Sequence, residues 1–172
     1  MPSREAFERL VRPHLAAAYS LARWLLRSDA DAEDVVQEAS LRAYRAIDRL
    51  QGTGARTWFL SIVRNTCFTA LDRARPRAAA ADVFDEERHV ATDADDPEEI
   101  LLRGADVAAV GEELDKLAPE FREAIVLREI EGLSYKEIAD VAGIPLGTVM
   151  SRLSRGRRNL IRALSARDRG TP

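Results

Sequence analysis

The sequence predicts an all-α protein made of two small helical domains that are joined by a flexible acidic linker. Glycine and proline are sparse, at 9 and 7 of 172 residues, and the dominance of alanine, leucine, arginine and glutamate is typical of helices. Apolar residues recur three and four positions apart in several segments, and a polar acidic stretch interrupts them. We expect one domain at residues 1–77, a linker at 78–97 and a second domain, with a helix-turn-helix, at 98–172.

The first domain is predicted to hold three helices. Residues 28–31, Ser-Asp-Ala-Asp, follow the first of them as a break with good N-cap residues, and the glycines on either side of Thr53 end the second. Pro76 cannot continue the third helix, because it lacks the backbone N–H that a helix interior needs. The predicted helices run from about Arg4 to Arg27, Ala32 to Leu50 and Arg56 to Arg73.

The second domain is predicted to begin with a helix over about Glu98 to Leu117, with a possible break near Gly104 or Gly111. Pro119 suits the first turn of the next helix, where a missing N–H is tolerated. That helix is expected to run to about Glu131.

The segment from Ser134 to Leu160 has the pattern of a helix-turn-helix. Ser134 and Glu137 form a capping box, in which each side chain accepts a hydrogen bond from the other residue's backbone N–H. Gly143 supplies the left-handed residue that ends this helix, and Thr148 is expected to cap the next one. The predicted buried face comprises Ile138, Ala139, Ala142, Val149, Leu153 and Leu160.

The outward face of the second helix is basic: between residues 146 and 172, seven arginines stand against one acid. Arginine suits a helix in the DNA major groove, because its planar fork donates to base edges and to phosphates. A solvated basic surface helix is the alternative, but the capping box, the turn glycine and the arginines together favour DNA binding. The predicted outward residues are Thr148, Met150, Ser151, Arg152, Ser154, Arg155, Arg157 and Arg158.

Charge is segregated along the chain, whose formal net charge is −3. Residues 55–81 carry five basic groups and one acidic group, residues 82–120 carry three and fourteen, and residues 121–172 carry ten and six. Local charge therefore matters more than whole-chain acidity in judging whether nucleic acid is a partner.

Composition argues against several other classes of protein. No apolar run approaches the ~20 residues that span a bilayer, and the N-terminus lacks an apolar signal core, which predicts a cytoplasmic protein without membrane insertion. Cys67 excludes an internal disulfide and is expected to be a small buried hydrophobe. With one cysteine and two distant histidines, His14 and His89, we predict no metal or cofactor. No catalytic constellation is visible, so an enzyme is not expected.

Three segments in order resemble one known family: Asp31 to Ile47, Arg56 to Arg77 and Leu117 to Leu160. They are similar to the extracytoplasmic-function sigma factors, the small two-domain branch of the sigma-70 family. A generic helix-turn-helix would match only the last segment. The resemblance implies a transcription initiation factor that binds core RNA polymerase and promoter DNA, and whose activity an anti-sigma factor controls.

The resemblance also implies roles for individual residues. Core polymerase binding is expected at Asp34, Gln37, Glu38 and Arg42. Contacts to the downstream, −10-type element are expected at Arg64, Asn65, Arg73, Arg75 and Arg77. Contacts to the upstream, −35-type element are expected at Thr148, Ser151, Arg152 and Arg155, with Arg157 and Arg158 holding phosphate. Thr69 stands where many relatives carry an acid, so the identity of the base that is flipped out of the DNA stack is not assigned.

Alternatives stay open at this point. Residues 82–99 could thread into the RNA exit path of polymerase as a polyanion or could be a solubilising linker. A stand-alone repressor or effector would share the helix-turn-helix but would leave Asp31–Arg77 unexplained. A mimic that sequesters an anti-sigma factor should have lost the arginines of the second helix, which this chain keeps.

Overall fold

The computed structural model describes residues 4–50, 54–75 and 106–170. Within these ranges the chain forms helices and short turns and no strand, which confirms the all-α prediction. The predicted linker, Arg77 and the predicted helix start at Glu98 lie outside the described residues. The helices are α1 (Arg4–Leu10), α2 (Leu15–Leu26), α3 (Asp29–Ala46), α4 (Ala55–Ala74), α5 (Val107–Lys116), α6 (Pro119–Ile125), α7 (Tyr135–Ala142) and α8 (Leu146–Gly170).

The first predicted helix is in fact two helices. A 3₁₀ turn at Arg12–His14 separates α1 from α2. Pro13 explains the break, because its ring would clash with the preceding helical turn and it has no N–H to donate. Arg27 then ends α2 in the left-handed conformation, with φ of 57°, and its N–H donates to the carbonyl of Arg23 at 2.9 Å.

Ser28, the first residue of the predicted break, caps α3. Its hydroxyl accepts a hydrogen bond from the backbone N–H of Asp31 at 3.2 Å. Because the cap is Ser28, the helix starts at Asp29, three residues before the predicted start. It ends at Ala46 and a 3₁₀ turn follows at Ile47–Arg49.

The α2, α3 and α4 helices enclose the first part of the core. Alanines at the crossings let the helices approach closely, and Phe59 fills the space between them; its burial contributes roughly 1.5–3 kcal/mol. Cys67 is buried here, as predicted, and this burial raises the pKa of its thiol to about 12. The buried residues are Ala18, Leu21, Ala22, Leu25, Ala32, Val35, Ala39, Ala43, Phe59, Leu60, Val63 and Cys67.

The helices of residues 4–75, the N-terminal half, pack against those of residues 106–170, the C-terminal half. Contacts run between α4 and α7 and between α2 and α6. Buried apolar side chains of both halves belong to one continuous cluster. The two predicted helical groups therefore form one packed body in this arrangement, a contact that the sequence did not indicate.

Candidate DNA-binding surfaces

The first helix of the helix-turn-helix, α7, is capped as predicted. The hydroxyl of Ser134 accepts from the N–H of Glu137 at 3.1 Å, and the Glu137 carboxylate accepts from the N–H of Ser134 at 2.7 Å. Gly143 ends the helix with φ of 66°, a region in which a side chain is strained. Ile138 and Ala142 are buried as expected, and Val141 joins them.

The second helix, α8, starts earlier than predicted. It begins at Leu146, and the carbonyl of Pro145 accepts from the N–H groups of Thr148 and Val149 at 3.0 and 3.2 Å. The expectation that Thr148 caps α8 is therefore wrong, because Thr148 already lies inside the first turn. Val149, Leu153 and Leu160 face inward as predicted, which directs the opposite face of α8 outward.

Gly156 lets α8 lie close to α6. A Cβ placed on Gly156 would come within 3.1 Å of Ile125 Cγ1 and 3.5 Å of Phe121 Cβ. This residue was not singled out from the sequence, although a lone glycine inside a helical pattern is a recognised sign of close packing. The close approach fixes the position of the helix that carries the arginines.

The arginines of α8 do not all face outward. Arg158 is exposed, and Arg152 and Arg155 are half-buried. Arg157, predicted to face outward and hold phosphate, is instead 2% exposed. Its Nη2 and Nε donate to Oε1 of Glu129 at 2.6 and 3.2 Å. The expected outward position of Arg157 is wrong because residue 157 lies on the same helical face as Leu153 and Leu160.

The basic residues predicted at the −10 site lie along α4 and differ in accessibility. Asn65, Arg73 and Arg75 are exposed. Arg64, in contrast, has a side chain that is 17% exposed. Its guanidinium lies 4.0 Å from the ring centroid of Phe68 and points toward the C-terminal half.

The partner of Arg64 is Glu123 of α6. Nε and Nη2 of Arg64 donate to the two carboxylate oxygens of Glu123 at 2.6 and 3.3 Å. The Glu123 side chain is 1% exposed. Burial raises the pKa of Glu123, although Arg64, and more weakly Arg152, oppose that shift. Glu123 was missed from the sequence, where its only signal is an acid inside the apolar stretch FREAIVL.

Comparisons with known families place both halves. A family model for sigma-70 region 2 matches residues 10–77, and one for sigma-70 region 4 matches residues 108–160. The chain belongs to the sigma-70 family, as an extracytoplasmic-function sigma factor. SigE of Mycolicibacterium smegmatis is 39% identical over 163 residues, covering 93% of this chain and 61% of that protein. The sigma-H factor of Pseudomonas aeruginosa is 36% identical over 168 residues, covering 94% of this chain and 87% of that protein.

Two solved structures resemble this sigma factor over nearly its full length. The sigma factor RpoE from Bartonella quintana, in complex with the anti-sigma factor NepR, is 26% identical with a TM-score of 0.70, covering 92% of this chain and 96% of that one. CnrH, in complex with the cytosolic domain of CnrY, is 30% identical with a TM-score of 0.68, covering 95% of this chain and 90% of that one. The similarity extends over both halves.

The third surface of this sigma factor is the outer face of α3. Asp34, Gln37, Glu38 and Arg42 are all exposed there, and Arg42 forms an ion pair with Glu38 one turn away. Leu41, not singled out from the sequence, lies among them with 53% exposure. A polar face with an exposed apolar residue in it is suited to a protein partner.

Metal and membrane signals are absent from the described ranges. Residues 4–50, 54–75 and 106–170 hold no group of three or more His, Cys, Asp and Glu side chains that could bind a metal ion. No helix in those same ranges is long and apolar enough to cross a bilayer.

Proposed function

We propose that this sigma factor binds core RNA polymerase through α3, melts the −10-type element with α4 and reads the −35-type element with α8. The observation that carries the proposal is the match of region 2 and region 4 in order on one chain. The capped helix-turn-helix and its basic second helix support it, because a recognition helix needs donors for base edges and phosphates. The cytoplasm is the compartment that this role requires.

At the −35-type element, Arg152 and Arg155 are proposed to contact bases or phosphates, with Thr148 and Ser151 in support and Arg158 on phosphate. Ser151 Oγ donates to the Thr148 carbonyl at 3.1 Å, which fixes its direction on the first turns of α8. We infer a different role for Arg157, which holds α8 in place through Glu129 rather than contacting DNA.

At the −10-type element, Asn65 is proposed to accept an unstacked base while Arg73 and Arg75 hold the backbone. Single-stranded DNA needs a cationic surface with groups that can hydrogen-bond a base edge, and these three residues are exposed on α4. Arg77 is proposed for the same site and lies outside the described residues. Arg64 can join them only after it leaves Glu123.

An anti-sigma factor is proposed as a partner. The similar RpoE structure is a complex with the anti-sigma factor NepR, and the similar CnrH structure is a complex with the cytosolic domain of CnrY. They align with this chain over both halves, so the packed arrangement of the halves is similar to that of a sigma factor held by a protein partner.

The alternative functions lose support. A stand-alone repressor does not account for region 2 over residues 10–77. A mimic without DNA binding does not account for the exposed and half-exposed arginines of α8. The proposed passage of residues 82–99 through the RNA exit path lies outside the described residues and stays a prediction. Replacing its acids with Ser and Gln should alter abortive synthesis.

The proposal is tested by transcription from fragmented genomic DNA with purified core polymerase. The 5′ ends of transcripts made with and without the sigma factor are sequenced, so no promoter needs to be known beforehand. The expected result is a set of start sites that depend on the protein and share one upstream sequence. Start sites that are the same with and without folded protein would reject the proposal.

Arg152→Ala and Arg155→Ala are expected to weaken use of the shared upstream sequence while leaving core polymerase binding intact. A bidentate contact to a base would make either loss worth ~1–3 kcal/mol. Arg169→Ala is the matched control, because Arg169 lies on the same helix about 25 Å from Arg152 and donates to the Ser165 carbonyl of its own helix. Equal loss of polymerase binding and promoter use would indicate misfolding instead.

A further inference from the structure

Arginines join the two halves of the molecule. Arg27 Nη1 donates to the Asp115 carbonyl at 2.6 Å, and Arg56 Nη2 donates to the Glu131 carbonyl at 2.6 Å. Arg122 Nη2, from the other side, donates to the Leu25 carbonyl at 3.0 Å. These bonds end on backbone carbonyls at helix termini or turns, where such groups need a donor.

Charged side chains also meet across the halves: Arg56 lies 3.8 Å from the Glu131 carboxylate, and Arg64 pairs with Glu123 at 2.6 Å in a contact that is more shielded from water. The guanidinium meets the carboxylate through two nitrogens, at 2.6 and 3.3 Å. A planar guanidinium recognises a carboxylate and a phosphate through the same paired geometry. Glu123 therefore presents to Arg64 the chemistry that a DNA backbone would present.

We propose that Glu123 is an internal competitor for promoter DNA, which keeps the halves closed and occupies Arg64 until polymerase or DNA separates them. The inference rests on the proposed role of Arg64 at the −10-type element. A single-stranded phosphate and the Glu123 carboxylate cannot both accept the same two N–H groups. Engagement of Arg64 by the single strand therefore has to displace Glu123 and, with it, α6.

The electrostatics of the contact favour a reversible closure. Burial raises the pKa of Glu123, which means that the carboxylate is less stable in the closed protein than it would be in water. A buried ion pair gains little net free energy over its separated, hydrated partners. An outside phosphate that reaches Arg64 can therefore replace Glu123.

Closure is measured with two spectroscopic labels, one in each half of the full-length chain. Asp48 and Lys136 are exposed and can be replaced by labelled cysteines in a chain whose buried Cys67 is first replaced by alanine, so that opening of the contact exposes no third thiol. Glu123→Ala leaves the largely shielded Arg64 guanidinium without its carboxylate partner, which is unfavourable in the closed arrangement. We expect a long-distance population in Glu123→Ala that the parent protein lacks.

A double variant keeps the test valid if Glu123→Ala also disturbs folding. Arg64→Leu with Glu123→Leu removes both charges and fills the contact with apolar groups, which can be nearly neutral for stability. This variant is expected to return to the short distance. If Glu123→Ala keeps the parent distance, or if the double variant opens as widely as Glu123→Ala, the proposed closure by the charged pair is overturned.

Competition with DNA is measured as binding of a labelled, mixed-sequence single-stranded DNA to the full-length chain without polymerase. Glu123→Ala is expected to bind about tenfold more tightly, the factor that a lost charge-assisted hydrogen bond allows. Asp168→Asn is the matched control, because it removes one exposed negative charge from the same half without touching the contact. An equal gain in both variants would overturn the competition.

The test of closure by Glu123 can succeed or fail independently of the test of the proposed function. Label distances need neither polymerase nor a promoter. If Glu123→Ala opens the molecule but the parent protein directs no transcription, the proposed function fails and the competition with DNA falls with it, while the closure by Glu123 stands.

Discussion

At the scale of single residues, the environment of each guanidinium decides what an arginine of α8 can do. Arg158 lies on an exposed face of α8, whereas Arg157 is held by Glu129 inside the fold. Arg128, next to Glu129 in sequence, donates to the Leu133 carbonyl at 3.0 Å and lies 4.9 Å from the Tyr135 ring. The turn before α7 and the middle of α8 are thus tied by one group of polar contacts.

Arg157→Ala is expected to destabilise the fold by roughly 1–3 kcal/mol, because Glu129 loses its partner while it stays partly shielded from water. Its effect on DNA binding should be indirect, so the dependence of affinity on salt should stay as in the parent protein. Arg158→Ala should show the reverse: unchanged stability and a salt slope lower by about one. Urea unfolding and DNA titrations at several salt concentrations measure both. If Arg157→Ala lowers the slope of DNA affinity against salt concentration, Arg157 contacts phosphate as first predicted.

At the scale of elements, helix packing depends on where small residues allow backbones to approach. Gly156 lies against Ile125 of α6, while Gly147, on the first turn of the same helix, has no atom within 4 Å of where its Cβ would be. Gly156 therefore allows α8 to approach α6 closely, whereas no packing contact requires a glycine at position 147.

Gly156→Ala is expected to destabilise the fold, because a methyl group 3.1 Å from Ile125 Cγ1 overpacks a stiff, buried β-branched side chain at a cost of about 1–3 kcal/mol. That cost exceeds the roughly 0.5–1 kcal/mol that alanine gains over glycine in a helix. Gly147→Ala is the matched control and should be neutral or stabilising. The unfolding temperatures of the two variants measure the difference. If both variants are stabilised equally, α6 accommodates the added methyl group without a loss of stability.

Periodicity and turn chemistry were sufficient to predict most elements. The Ser134–Glu137 capping box and Gly143 act as predicted, and the cap of α3 falls within the predicted segment 28–31, because caps depend on local hydrogen bonds. The same pattern could have placed Arg157 inside, since it is four residues after Leu153 and three before Leu160. The pairing of Glu123 with Arg64 could not be predicted, because it joins residues 59 positions apart in sequence through the packing of separate helices.

At the scale of the whole molecule, packing of the two halves buries the carboxylate of Glu123, which would be more stable as an ion in water. Burial raises the pKa of Glu123 above its ordinary value of 4.5. Folding therefore takes up a proton in the window between that value and the raised one. Within this window the free energy of unfolding falls as pH rises, because the folded state binds more protons than the unfolded state.

Glu123→Gln removes this titration while keeping an oxygen that can accept from Arg64. The stability of the variant relative to the parent protein is expected to increase with pH across the window and to be constant below about pH 4.5. Urea unfolding of both proteins at a series of pH values measures the difference. A difference that is independent of pH would show that Glu123 titrates normally in the folded protein.

The acceptors of the arginine bonds between the halves have a consequence for chimeric sigma factors. Arg27, Arg56 and Arg122 donate to backbone carbonyls, which every sequence with this fold retains. The bond from Arg64 requires a carboxylate at position 123 of the other half, the bond to Leu25 requires an arginine at position 122, and Arg56 lies 3.8 Å from the Glu131 carboxylate. When region 2 of this chain is fused to region 4 of a relative, we expect the residues at positions 122, 123 and 131 of the relative to set the balance between closed and open states, so that domain exchange adjusts the activity of the hybrid in the absence of polymerase.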